Sequence, residues 1–114
     1  MRSLRVLAVA VVASLLVPAA AAAKVTLLGV TSPARPGATA TLTVAVTPAA
    51  ATCSIRVVYK SGPSKAQGLV PKRAAAGKVS WSWTVGTRTT PGRWPIHVDC
   101  GAAGKLSTAF EVRR

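Results

Sequence analysis

The chain has 114 residues, of which 15 are Lys or Arg and only two are Asp or Glu, so its formal net charge is +13. This length allows one domain rather than two. Two acidic residues and one His leave almost no side chains for acid–base catalysis or metal ligation, which argues against most enzyme classes.

The beginning of the chain has the layout of a secretory signal peptide. Two arginines precede an apolar run that ends at a proline, and Ala21 and Ala23 then provide the small residues of a cleavage site. We therefore predict a helical signal peptide over residues 1–23 and one secreted domain over residues 24–114. The alternative is a retained membrane anchor, because residues 6–23 are just long enough to span a bilayer.

Apolar and polar residues alternate along most of the predicted mature domain, which is typical of half-buried strands. Turn residues such as Pro and Gly separate the alternating segments. A run of short strands at this spacing predicts an all-β fold, an antiparallel two-sheet sandwich of immunoglobulin type with six or seven strands. The predicted strands cover residues 25–30, 38–47, 53–60, 79–85, 94–100 and 106–112, with a short edge strand near 68–71.

The aromatic residues fall on inward positions of these strands. We therefore expect them to form much of the core, since buried aromatic area dominates small cores. The alternative is a sugar-binding platform, which would follow if the register of strand 79–85 shifted by one residue and turned its two tryptophans to solvent. The predicted core aromatics are Tyr59, Trp81, Trp83, Trp94 and Phe110.

The two cysteines begin and end neighbouring predicted strands. Cys53 begins one strand and Cys100 ends another, and in an immunoglobulin-like sandwich these two strands are antiparallel neighbours. Pairing the cysteines also places every inward residue of one strand opposite an inward residue of the other. We predict a disulfide, worth roughly 4 kcal/mol in the chain-entropy model. A redox or metal-binding pair is the alternative, but it lacks a C-x-x-C spacing and further ligands.

Three stretches, residues 53–64, 78–86 and 91–100, carry much of this strand-and-turn pattern. In the last, Pro91 and Gly92 lead through one residue to an aromatic residue at the start of a strand. Together the stretches resemble the small immunoglobulin-like modules of exported bacterial proteins, over nearly all of the predicted mature domain. The resemblance implies a β-sandwich and a surface, adhesion or accessory role.

A catalytic or metal-binding group has only weak support in the sequence. His97 and Asp99 share the outward face of one strand, and the predicted register places Arg56 and Ser54 opposite them. A flat strand surface offers neither an activated nucleophile nor an oxyanion site, so we expect no enzyme activity. Two ligands are too few for a metal site. Arg56 and Asp99 are instead expected to form a surface ion pair of little energetic value.

The positive charge is the most informative functional feature, because the topology gathers it at the two ends of the sandwich. One end is expected to hold Arg35, Lys60, Lys65, Arg88, Arg93, Arg113 and Arg114. The other end is expected to hold Lys24, Lys72, Arg73, Lys78 and Lys105. Such a surface attracts polyanions, although a charge that only keeps the protein soluble is an equally good explanation.

These observations favour a secreted, non-enzymatic module without a cofactor. Its basic surface would associate with the cell envelope, through an anionic wall polymer or a membrane surface. A specific nucleic-acid target is not expected, because no aromatic-lined basic groove or DNA-binding motif is visible. One alternative is a recognition or inhibitor module that binds an exported protein through the loop 61–78 or a sheet edge. Another is a structural subunit that adds strands to other copies.

Overall fold

The computed structural model describes residues 23–114, so nearly all of the predicted signal peptide lies outside the described residues. The described part consists of strands joined by short connections, with one 3-10 turn at Gly101–Ala103. The strands are β1 (Lys24–Val30), β2 (Thr39–Thr47), β3 (Thr52–Tyr59), β4 (Gly62–Pro63), β5 (Lys72–Arg73), β6 (Lys78–Thr84), β7 (Gly92–Asp99) and β8 (Lys105–Val112). Among these described residues, no helix is long and apolar enough to cross a membrane.

The strands form two antiparallel sheets packed face to face. One sheet has the order β1-β2-β6, and the other has the order β4-β3-β7-β8, with β5 also pairing with β3. Six long strands in this order match the immunoglobulin layout, in which the first, second and fifth strands form one sheet and the third, sixth and seventh form the other. The predicted all-β sandwich is confirmed.

The core lies between the two sheets and follows the alternation of the sequence. Every second residue of β2 and β6 is buried, and the largest fully buried side chains are Trp81 and Phe110. Trp83 packs edge-on against Phe110, with ring centroids 5.8 Å apart. Tyr59 and Trp94, which the sequence also placed in the core, are only half-buried because they lie where β3 ends and β7 begins.

The disulfide between Cys53 and Cys100 is present, as predicted. It connects the start of β3 to the residue after β7, two neighbouring strands of the same sheet. The register of these strands agrees with the prediction, since Ile55 lies opposite Val98 and Val57 lies opposite Ile96. The bridge therefore reinforces one sheet, whereas the antibody bridge joins the two sheets.

The prediction of an edge strand near 68–71 is wrong. Gly68 has a positive φ of 95°, and Pro71 has no N–H to donate, so this stretch does not form a ladder. It nevertheless covers the open edge of β6. The Trp81 Nε1–H donates to the Val70 carbonyl at 2.8 Å, and the Lys72 Nζ donates to the Ser80 carbonyl at 2.8 Å. We call residues 66–72 the covering segment.

The two sheets are joined at one end by the connection between β1 and β2. Ala34 in this connection is buried and forms a parallel bridge with Val112 of β8. Its N–H donates to the Glu111 carbonyl at 2.8 Å, and its carbonyl accepts from the Arg113 N–H at 2.9 Å. This contact draws the first connection toward the end of β8, which positions the site described next.

Candidate functional site

One end of the sandwich collects most of the basic side chains, because several strands begin or end there. Thr39 at the start of β2 lies opposite Thr84 at the end of β6, and Gly92 at the start of β7 lies opposite Val112 at the end of β8. We call the exposed basic residues of this end the cationic pole. They are Arg35, Lys60, Lys65, Arg88, Arg93, Arg113 and Arg114.

One carboxylate partly neutralises the cationic pole. Arg113 donates from Nη2 and Nε to the two Glu111 carboxylate oxygens, at 2.9 and 3.2 Å. These hydrogen bonds hold the pKa of the Glu111 carboxyl below its ordinary value, and the charge of Arg93, on the adjacent strand opposite Glu111, acts in the same direction. This pair was not predicted, although residues two apart on a strand share one face.

The opposite end carries fewer basic side chains, and some of these have close partners. We call Lys24, Lys72, Arg73, Lys78 and Lys105 the opposite pole. Lys72 donates to a main-chain carbonyl of β6, and Lys105 lies 4.0 Å from the Asp99 carboxylate. The structure therefore separates the chain's two acids, with Glu111 at the cationic pole and Asp99 at the opposite pole.

The prediction of an ion pair between Arg56 and Asp99 is wrong. Arg56 lies opposite His97, two residues along β7 from Asp99, whereas Lys105 lies directly opposite Asp99 on β8. Direct cross-strand neighbours are closer than diagonal ones, so the carboxylate contacts Lys105 instead. Both side chains of the observed pair are well exposed, and pairs of this kind contribute little to stability.

The side chains considered as a catalytic group bond to other partners. The Ser54 hydroxyl donates to the main-chain carbonyl of Asp99 at 3.5 Å, and the Asp99 carboxylate accepts from the Gly101 N–H at 2.9 Å. His97 Nδ1 lies 3.0 Å from the hydroxyl of Ser107, a neighbour that was not predicted from the sequence. Ser54, His97 and Asp99 therefore do not form the linked nucleophile, base and orienting acid that acyl transfer needs. Within residues 23–114, no three His, Cys, Asp or Glu side chains cluster as metal ligands.

The tryptophans do not form an exposed sugar-binding platform on the sheet. Trp81 and Trp83 are 0% and 2% exposed, because their strand has the register that turns both indoles inward. Tyr59 and Trp94 are half-buried aromatic residues at the cationic pole, and of these two Tyr59 lines a cleft there. Tyr59 reaches this end because it is the last residue of β3.

Comparison with known proteins adds a distant structural likeness. No protein-family model matches the chain, and the curated proteins include none with a similar sequence. A chain in the crystal structure of the titin domains z1z2 in complex with telethonin is similar, with a TM-score of 0.49 and 14% sequence identity. The match covers 82% of this chain and 48% of that one, so this chain spans about half of its length. The strand order, rather than this likeness, establishes the fold.

Proposed function

We propose that the protein is a secreted, non-enzymatic immunoglobulin-like module that binds an anionic polymer of the cell envelope through the cationic pole. The observation that carries this proposal is the imbalance of charge at that pole, where the only acidic side chain is Glu111, already paired with Arg113. A surface so one-sided attracts polyanions and speeds their encounter with the protein.

Two further observations support a non-catalytic, exported module. Ser54, His97 and Asp99 are engaged with separate partners, so they do not provide a catalytic relay. A disulfide is stable in oxidising compartments outside the cytosol, and the predicted signal peptide would direct the chain there.

The distribution of the charges favours a flexible polymer over a membrane surface. The pole's basic side chains come from separate connections and strand ends. A flexible polymer can therefore contact several of them at once, and these linked contacts raise its overall affinity. Membrane association is strengthened by buried apolar side chains. The large exposed apolar side chains of the described chain, Leu28 and Val70, both lie outside the loops of the cationic pole.

Binding to purified cell-wall material tests the proposal with two matched variants. In the first, Arg35, Lys65 and Arg114 of the cationic pole are replaced by Gln. In the second, Lys24, Arg73 and Lys78 of the opposite pole are replaced by Gln. Each variant loses three positive charges from exposed positions. At roughly 0.5–1 kcal/mol for each of the three exposed contacts, the first variant should bind about ten- to hundredfold more weakly at low salt.

The second variant should bind almost as well as the unchanged protein. Binding of the unchanged protein should weaken steeply as salt rises, because exposed charges are screened over about 8 Å at physiological ionic strength. Equal losses in the two variants, or retention that ignores salt, would contradict the proposal. Tighter binding to anionic vesicles or to DNA than to wall material would contradict the wall polymer as the partner and would favour the vesicle lipid or the DNA instead.

A further inference from the structure

The cationic pole contains a cleft as well as a charged surface. The cleft lies between the turn that follows β3 and the connection from β6 to β7, and it has a volume of about 540 Å³. A second cleft of about 660 Å³ adjoins it and shares Tyr59, Ser61, Gly86 and Thr89. Both volumes lie in the range of small-ligand sites. A diffuse charged surface would not need such a concavity.

The cleft has a rigid aromatic wall. The ring of Tyr59 packs edge-on against Phe110 and Trp94, with centroid distances of 6.1 and 6.4 Å. These contacts connect the wall of the cleft to the buried core. A ligand therefore meets an aromatic ring that is held in place before binding, which reduces the entropy lost on association.

The hydroxyl of Tyr59 does not use its own hydrogen in its bond with Trp83. The Trp83 Nε1 nitrogen lies 3.2 Å from the Tyr59 oxygen, and an indole nitrogen can only donate. The Tyr59 oxygen is thus the acceptor in this bond, and its own hydrogen is directed elsewhere. A phenol keeps its hydrogen at neutral pH because its ordinary pKa is about 10, and burial raises the pKa of Tyr59 further.

The opposite sides of the cleft provide positive charge and further hydroxyls. Lys60 lines one side, from the turn after β3, and Arg88 lines the other, from the connection between β6 and β7. Ser61 and Thr89 line the same cleft, and both can donate or accept hydrogen bonds. The combination of an aromatic wall, several hydroxyls and two cations suits a ligand that is polar, ring-shaped and negatively charged.

We infer that this cleft binds a single sugar unit that carries a carboxylate or a phosphate, with its ring against Tyr59 and its anionic group between Lys60 and Arg88. The inference rests on the proposed function, because it names the unit of the polymer that the cationic pole recognises. It adds that recognition depends on the ring as well as on the charge.

Chemical-shift titration of the ¹⁵N-labelled domain tests this inference with four probes. Trigalacturonate carries carboxylates, a glycosyl phosphate trimer carries phosphates, maltotriose is uncharged, and tripolyphosphate has no ring. Either charged sugar should produce saturable shifts at the Ser61 and Thr89 amides, and the stronger of the two identifies the anionic group. Maltotriose should bind at least tenfold more weakly. Tripolyphosphate should shift amides across the cationic pole.

Two variants and one control separate the cleft from the pole. Tyr59→Phe keeps the ring but removes the hydroxyl, so it should weaken binding of the charged sugar about three- to tenfold and leave tripolyphosphate binding unchanged. Arg88→Gln should weaken binding of the sugar to a similar extent without disturbing the core. Arg114→Gln, which removes a charge of the pole outside the cleft, should affect the sugar less than Arg88→Gln does.

The outcomes distinguish this inference from the proposed function. Suppose that the charged sugars, like tripolyphosphate, shift amides across the whole cationic pole, and that Tyr59→Phe does not change their affinity. The cleft is then not a sugar site, and the polyanion proposal stands. If neither the sugars nor tripolyphosphate bind at the pole, both fail. Equal affinity for maltotriose and trigalacturonate would show that Lys60 and Arg88 do not recognise the anion.

Discussion

Gly68 lets the covering segment lie close to the edge of β6. Its φ is +95°, a conformation that L side chains rarely adopt, and a Cβ added there would collide with the main-chain carbonyl oxygen of Ser82. Gly62 also has a positive φ, of +118°, but a Cβ there would meet nothing within 4 Å. Ala substitutions at these two glycines therefore distinguish the cost of backbone strain, which both share, from the cost of steric overlap, which only Gly68 has.

We predict that Gly68→Ala destabilises the protein more than Gly62→Ala. Both substitutions introduce strain of about 1 kcal/mol, because Ala disfavours positive φ. Gly68→Ala must in addition displace the covering segment from the backbone of β6, which should lower the free energy of unfolding by a further 1–3 kcal/mol or so. Urea unfolding of the two variants measures the difference. Equal destabilisation would show that the segment does not pack as closely as described.

The strands were predictable from the sequence and the covering segment was not, for a physical reason. The strands β2, β3 and β6 bury alternate residues along most of their length, so the alternation marks them directly. The same alternation also predicted the register that joins Cys53 to Cys100. The covering segment contacts β6 through the Trp81 indole, the Lys72 amine and a close approach at Gly68. Such contacts have no period along the chain.

The disulfide is expected to provide a large part of the stability of the sheet β4-β3-β7-β8. Replacing both Cys53 and Cys100 by Ala should lower the free energy of unfolding by about 2–5 kcal/mol, because the unfolded chain is no longer constrained. Unfolding in urea with and without a reductant measures this effect. The unchanged protein should lose stability in the reductant and the double variant should not. A reductant that leaves the unchanged protein equally stable would contradict the expectation.

The positive charge is unevenly distributed between the two ends of the sandwich. The topology alone predicted which basic residues share an end, because loops at the same end of a sandwich are neighbours. The spacing of Glu111 and Arg113 places them on one face of a strand, but their pairing depends on side-chain placement, as does the cleft that Tyr59 lines. The proposed binding therefore depends on where each charge lies, and not only on the net charge.

The chain's two acids allow this claim to be tested directly, since Glu111→Gln and Asp99→Asn each raise the net charge by one. Glu111→Gln removes the counter-charge of the cationic pole and releases Arg113, so it should tighten binding to an anionic wall polymer about two- to fivefold at low ionic strength. Asp99→Asn alters the opposite pole and should change the affinity much less. Isothermal titration of both variants with the same polymer makes the comparison. Equal gains in affinity would show that net charge alone governs binding, and would contradict a role for the cationic pole.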